Sequence, residues 1–261
     1  MKKVLITGAR SGIGAAVVKE LQKGDYYIYV TVHTEKQLEI VKQTYEGMDN
    51  IECMKLDITD PVDQKKVLKL DLDIFISNAS IGYGGSMAEI PMDLVRENFE
   101  TNVFSTFEMI QLVLKNMIPK KNGKLIIMGS LAGIYPMSFL GSYAGSKASV
   151  KKMATVLRRE LHLLDTNIGI HLIEPGLYFT GFNQVMFENK YPRMKKQTYF
   201  KSELDFIKSR ECFILHYMEK KSLKSIVHKI VQAIEEDSDQ FIYRAPYSQV
   251  FIAKLYELLF Q

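Results

Sequence analysis

Val4-Leu5-Ile6-Thr7-Gly8-Ala9-Arg10-Ser11-Gly12-Ile13-Gly14 carries a β-rich apolar run through a turn of small residues and directly into a segment of helical period. Small residues let the backbone approach a pyrophosphate, whose charge then sits at the positive N-terminus of the helix. Glycine patterns arise by chance. This one gains weight from its context, a strand before it and a helix after it. Gly8, Arg10, Ser11, Gly12, Ile13 and Gly14 are therefore expected to cradle the phosphates of a dinucleotide.

Beyond this turn, short β-rich runs alternate with helical stretches along most of the chain. Strands are expected at 4–7, 27–32, 51–55, 72–77, 124–128 and 168–173, with a last one near 240–243. Helical lengths and apolar periods mark 13–23, 35–45, 62–70, 92–116 and 142–164. This pattern predicts an α/β fold, a doubly wound (Rossmann-type) parallel sheet of about seven strands with helices on both faces. No repeat or linker splits the chain, so 1–261 is expected to be one domain. The alternation stops at Gly176. Residues 180–221 are crowded with aromatics and lysines and lack strand signals, which predicts a substrate lid or irregular helices. Helices resume at 225–236 and 249–260, the last amphipathic and suited to core packing or a subunit interface, with a membrane surface as the other option.

Composition narrows the function. Hydrophobic content of 47% with 25% charged residues is that of a soluble globular protein. A net charge of +4 compels no nucleic-acid partner. The run Lys190-Tyr191-Pro192-Arg193-Met194-Lys195-Lys196, with Lys201, reads as a solvated basic patch on the lid. Cys53 and Cys212 are too few for a disulfide framework, and no metal site is expected. No apolar run approaches the roughly 20 residues of a membrane span. With no apolar signal region at the start, the cytoplasm is the expected compartment.

Chemistry enters with Tyr143 and Lys147. Their i,i+4 spacing on a helix puts both side chains on one face, about 5–6 Å apart at Cβ. A neighbouring ammonium favours the phenolate, so the phenol is expected to exchange protons more readily near neutral pH. Ser130 upstream and Asn102 earlier still complete a constellation that reads as an oxidoreductase. The end of the second expected strand chooses the cofactor. An acidic residue there would bind the ribose 2′-hydroxyl of NAD and repel a 2′-phosphate. The chain instead has Val32-His33-Thr34, with Glu35 the first acid. Arg10 is placed to meet a 2′-phosphate, and His33 and Thr34 add donors. NADP(H) is the preferred expectation, with NAD(H) left open.

These motifs together resemble the short-chain dehydrogenase/reductase family, in its short single-domain branch. The likeness is strong over about residues 2–180 and loose to the end. Thr7-Gly8-x-x-x-Gly12-Ile13-Gly14 is similar to the family's cofactor turn. The resemblance implies that Asp57, with Ile58 beside it, holds the adenine, and that Asn78-Ala79-Ser80 steadies the sheet along the cofactor. It implies a catalytic set of Asn102, Ser130, Tyr143 and Lys147. It implies too that Pro175, Gly176, Tyr178 and Thr180 lie in the loop against the nicotinamide. Ser80 replaces a usual glycine. Tyr178 replaces a small aliphatic residue, and its ring is expected to narrow the pocket.

The implied reaction is hydride transfer between the nicotinamide and a carbonyl or carbinol carbon. Tyr143 would donate the proton, Ser130 orient the oxygen, Lys147 tune the tyrosine and hold the ribose, and Asn102 hold a water leading to solvent. Plain alternatives exist: Asn102 bonded to a local carbonyl, Ser130 as a turn serine, Asp57 capping a helix near 59–61. The pocket is expected from Ile81, Tyr83, Ile134, Tyr135, Met137, Phe139, Phe179, Phe182, Met186 and Phe187, which suits a bulky hydrophobic ketone or aldehyde. A homodimer or homotetramer is expected. The rival reading is a catalytically silent NADP(H)-binding regulator. An extended-branch isomerase or dehydratase does not fit the glycine spacing.

Overall fold

In β1 (Lys2–Ile6), Val4, Leu5 and Ile6 are all buried, as a strand covered on both faces requires. The computed structural model describes residues 1–260, so Gln261 lies outside the described residues. The order continues α1 (Gly12–Leu21), β2 (Tyr26–Val32), α2 (Glu35–Thr44), β3 (Ile51–Lys55), α3 (Pro61–Gln64) and β4 (Ile74–Ser77). Next come α4 (Met92–Phe99), α5 (Thr106–Lys120), β5 (Asn122–Met128), α6 (Gly141–Leu161) and β6 (Asn167–Pro175). The chain then runs through α7 (Phe182–Glu188), α8 (Tyr191–Lys196), α9 (Leu204–Met218), α10 (Lys224–Glu235), β7 (Ile242–Ala245) and α11 (Tyr247–Phe260).

Seven strands form one parallel sheet in the order β3-β2-β1-β4-β5-β6-β7. The order reverses between β1 and β4, and there a crevice opens at the strands' carboxyl ends. Alternate residues feed two cores. Val4 and Ile6 face α1 and α10 with Val17, Val18, Ile226 and Ile230, while Leu5 faces α5 and α6 with Ile110, Val113 and Val150.

The expected helix over 92–116 is helical throughout and runs on to Lys120, but it is not uniform. Glu100–Ser105 winds as a π-helix between α4 and α5. Such single π turns are frequent at functional sites. The helix expected at 62–70 shrinks to one capped turn, where Asp60 accepts from the Val62 amide at 2.8 Å and Pro61 opens α3, followed by a 3-10 turn. Segment 180–221 folds as α7, α8 and α9 about a buried ion pair, Lys190 Nζ to Glu211 Oε2 at 2.8 Å. Lys190 is thus a core residue and not part of a solvated basic patch. No helix among the described residues is long and apolar enough to cross a membrane.

Candidate active site

The first turn explains its own glycines. Gly8 has φ +64°, and a Cβ there would lie 2.9 Å from the Cα of Ala79. At Gly14 a Cβ would meet Asn78 Nδ2 at 2.7 Å, so this glycine serves close packing of α1 on the turn. Asn78 ties the two central strands together. Its Nδ2 donates to the carbonyls of Thr7 (2.8 Å) and Gly8 (3.1 Å), and Thr7 Oγ1 accepts from the amides of Asn78 and Ala79.

Two asparagines on successive turns reach the loop after β4. Asn98 Oδ1 accepts from the Tyr83 amide (3.1 Å) and its Nδ2 donates to the Tyr83 carbonyl (3.2 Å). Asn102 does the same for Ile81, at 2.9 Å both ways. Each also donates to a serine of α6: Asn98 to Ser142 Oγ at 2.7 Å, Asn102 to Ser146 Oγ at 3.1 Å. Those serines directly precede Tyr143 and Lys147. A two-rung ladder therefore joins the 81–83 loop to α6. Ser80, the departure from the family's glycine, donates its hydroxyl to Asn102 Oδ1 at 2.8 Å. All four bonding positions of the Asn102 amide are thus filled by the chain, which leaves its side chain no free position for a water.

Tyr143, Ser130 and Lys147 converge on one wall of the crevice. Lys147 is buried and donates to the Met128 carbonyl at 2.9 Å, with its Nζ 5.8 Å from the Tyr143 ring centroid. Burial lowers the Lys147 ammonium to about 8. Burial also pushes the Tyr143 phenol up to about 12, against a smaller lowering by the Ser130 hydroxyl. The direction is opposite to that expected from the neighbouring ammonium alone. Desolvation of the phenolate outweighs any help from an ammonium that is itself desolvated and turned toward a carbonyl. Ser130 Oγ accepts from the Ala132 amide at 3.1 Å, and so caps a 3-10 turn.

A cleft of about 1150 Å³ runs from the glycine turn past these residues to α7, α9 and α11. It is lined by Gly8, Arg10, Ser11, Gly12, Ile13, His33, Asp57, Ile58, Asn78, Ser130, Tyr143, Lys147, Pro175, Gly176, Tyr178 and Thr180. Gly14, Thr34 and Asn102 do not line it. Gly14 lies beneath the turn, Thr34 caps α2 by accepting from the Gln37 amide at 3.2 Å, and Asn102 is committed to its ladder. Asp57 closes a local turn, Oδ1 accepting from the Thr59 amide and hydroxyl, and the helix cap is Asp60 instead.

Of the expected pocket, Ile81, Tyr83, Tyr135, Met137, Phe182 and Met186 line the cleft. Ile134 instead packs under α11 with Val250 and Ala253, Phe139 meets the Phe200 ring edge-on, Phe187 is core beside Leu140, and Phe179 faces solvent. Tyr178 borders the cleft, but its ring does not stand in it as an exposed wall. It is buried in the α1–α10 core with its hydroxyl 2.8 Å from Ser225 Oγ. Residues not foreseen include Gln249 of α11, whose Oε1 accepts from the Leu177 amide and whose Nε2 donates to the Met218 carbonyl, both at 2.7 Å. Its only sequence signal was a polar residue in an apolar helix. The cleft suits a dinucleotide on its own features: a glycine cradle that a Cβ would fill, Arg10 with no hydrogen bond or ion pair among the described residues, and a buried ammonium with donors to spare.

The chain belongs to the short-chain dehydrogenase/reductase family, whose short chain dehydrogenase model matches residues 2–190. A Helicobacter pylori protein named "Probable short-chain type dehydrogenase/reductase VdlC" is 30% identical over 87% of this chain and 82% of its own. The NADPH-dependent 3-dehydrocapnine reductase of Ornithobacterium rhinotracheale is 29% identical over 67% of this chain, an alignment spanning 65% of that protein. A short-chain dehydrogenase/reductase from Burkholderia phymatum, solved in complex with NAD, superposes with a TM-score of 0.82 over 97% of this chain and 92% of its own, at 18% identity. The protein is an NAD(P)-dependent oxidoreductase acting on CH–OH or carbonyl groups.

Proposed function

We propose that this oxidoreductase is an NADPH-dependent reductase of a hydrophobic ketone or aldehyde, or runs the reverse alcohol oxidation, with Tyr143 as proton donor and acceptor. The observation that carries the reading is the convergence of Ser130, Tyr143 and Lys147 on a cleft that is glycine-lined at one end and apolar at the other. A bound nicotinamide supplies or accepts the hydride. Tyr143 gives its proton to the substrate oxygen as negative charge grows there, and Ser130 donates to the same oxygen and fixes its direction. Lys147 holds the ribose hydroxyls and favours the tyrosinate after the proton has left. Asn102 positions: its amide keeps the Ile81 backbone, the Ser80 hydroxyl and α6 in register.

NADP(H) preference rests on Arg10 and His33, which line the cleft at the end of β2, whereas Glu35 lies outside it in the first turn of α2. The Ornithobacterium reductase, by name NADPH-dependent, supports this. A charged pair to a 2′-phosphate is worth roughly tenfold in binding. Arg10→Ala is therefore expected to raise the NADPH KM by about that factor and barely to change the NADH KM. Equal or tighter binding of NADH by the wild-type protein, measured by fluorescence titration, would reverse the assignment.

Residues 180–221 act in this reading as a lid. Phe182 lies against the Tyr143 ring, 5.6 Å between centroids, and Gly181, with φ +84° and open space around it, serves as the hinge. Hydrogen exchange is expected to slow across α7–α9 when cofactor and substrate are both bound. Equal protection in free and bound protein would make the segment fixed architecture. Exposed Phe104, Met153 and Val156 on the α5–α6 side offer an apolar face for a homodimer, which light scattering would detect.

A further inference from the structure

The far end of the cleft opens between α7, α9 and α11, and its border is apolar. Tyr135, Val185 and Ile252 line the cleft and are at the same time exposed, Val185 at 65%, so they mark the opening. Around them lies an exposed apolar apron: Phe179 before α7, Tyr217 on α9, and Phe251 and Leu255 on α11, with Phe251 at 70% exposure. The segments that carry the apron are tied together: Gln249 bonds α11 to the end of α9 at Met218, and the Phe179 amide bonds the Lys220 carbonyl at 2.9 Å.

Its free charges are mainly basic. Two of the nearby acids are paired: Glu219 accepts from Asn183 and Gln184, and Glu257 lies 3.2 Å from Lys151 and 3.5 Å from Arg244, while Glu188, one turn from Val185, is exposed. Lys220, beside Phe179, and Lys254, one turn from Phe251, are exposed and have no ion pair among the described residues. Exposed aromatic and aliphatic side chains rimmed by unpaired lysines match an interfacial surface for anionic lipid. We infer that the α9–α11 face rests on an anionic bilayer and that the cleft opens onto the lipid. The docking stands on this surface alone, while entry of a lipid-like carbonyl through the opening rests on the reductase reading above.

The test is flotation of the full chain with vesicles of phosphatidylcholine, with and without phosphatidylglycerol, at low and high salt. Wild-type protein is expected to float with the anionic vesicles and to be released by salt. Lys254→Glu should lower partitioning about fivefold or more, and Phe251→Asp should abolish it. Both variants should still reduce a water-soluble ketone, since neither residue touches the cleft. Lys254→Glu alters a solvated position and keeps the test alive where Phe251→Asp fails to fold. Wild-type protein that stays unbound overturns the inference. So does a lipid-free Phe251→Asp protein whose mass by light scattering falls to a fraction of the wild-type mass, because a second copy then covers the face. Flotation of a chain that reduces no ketone would uphold the docking face and refute the reductase reading alone.

Discussion

Tyr143→Phe is expected to abolish turnover and to leave NADPH binding nearly intact. The ring keeps its packing against Phe182, Leu140 and Met186, and only the hydroxyl proposed to deliver the proton is lost. General acid catalysis of this kind is worth about 10²–10⁴-fold, so residual activity should fall below roughly one percent. The phenol's pKa sharpens the expectation. Held up at about 12, it stays a protonated donor across the neutral range, so ketone reduction should vary little with the state of Tyr143 up to about pH 10. Alcohol oxidation needs the tyrosinate and should accelerate as pH rises. NADPH fluorescence for binding and NADPH consumption for turnover decide it. Wild-type turnover in the phenylalanine variant would remove the proton donor from the mechanism.

Lys147 gives the second large effect, with a stability signature opposite in sign. Lys147→Ala should cost turnover as severely as the tyrosine change and also weaken NADPH, since a ribose contact is lost. Lys147→Arg should recover part, because a broad guanidinium does not fit where a compact ammonium meets the Met128 carbonyl. Lys147→Met separates function from fold. The folded-state pKa of Lys147 is lowered from 10.5 to about 8, so burying its charge costs about 3 kcal/mol below pH 8. That cost lifts as pH rises from 8 to 10.5, where the unfolded chain binds the extra proton. The inactive methionine variant is thus expected to match or exceed wild-type stability at pH 7 and to lose that advantage by pH 10.5. Denaturant melts at several pH values measure it. A methionine variant that is strongly destabilised at pH 7 would mean that the Met128 bond outweighs the charge.

The architecture was legible because it is written in short-range signals. Period-2 and period-3.6 apolar runs, and a glycine turn between β1 and α1, suffice for a parallel sheet and its reversal point. The convergence of Ser130, Tyr143 and Lys147 was legible for a related reason, since two of them share a helix face. What stayed hidden depends on three-dimensional competition. Nothing local tells whether burial or a neighbouring ammonium governs a phenol. Tyr178 reads as an intruder in a pocket, yet Ser225, distant in sequence, draws its hydroxyl into the core. Lys190 reads as solvated until Glu211 of α9 arrives to pair with it. Ile134 and Phe187 have the right chemistry for a pocket and face away from it, because α11 packs on the first and Leu140 on the second.

The ladder of Asn98 and Asn102 has a consequence for insertions and deletions. Its two rungs are spaced by one turn on both sides, Asn98 to Asn102 across the passage from α into π winding and Ser142 to Ser146 along regular helix. Removing one residue between the asparagines would rotate one against the other by about 100°. At most one rung would survive, and Tyr83 or Ile81 would lose both backbone bonds. The turn at Gly47, with φ +77° and open space where a Cβ would project, should accept a changed length at little cost. Between 98 and 102 it is the number of residues, more than their polarity, that keeps α6 aligned with the loop it faces.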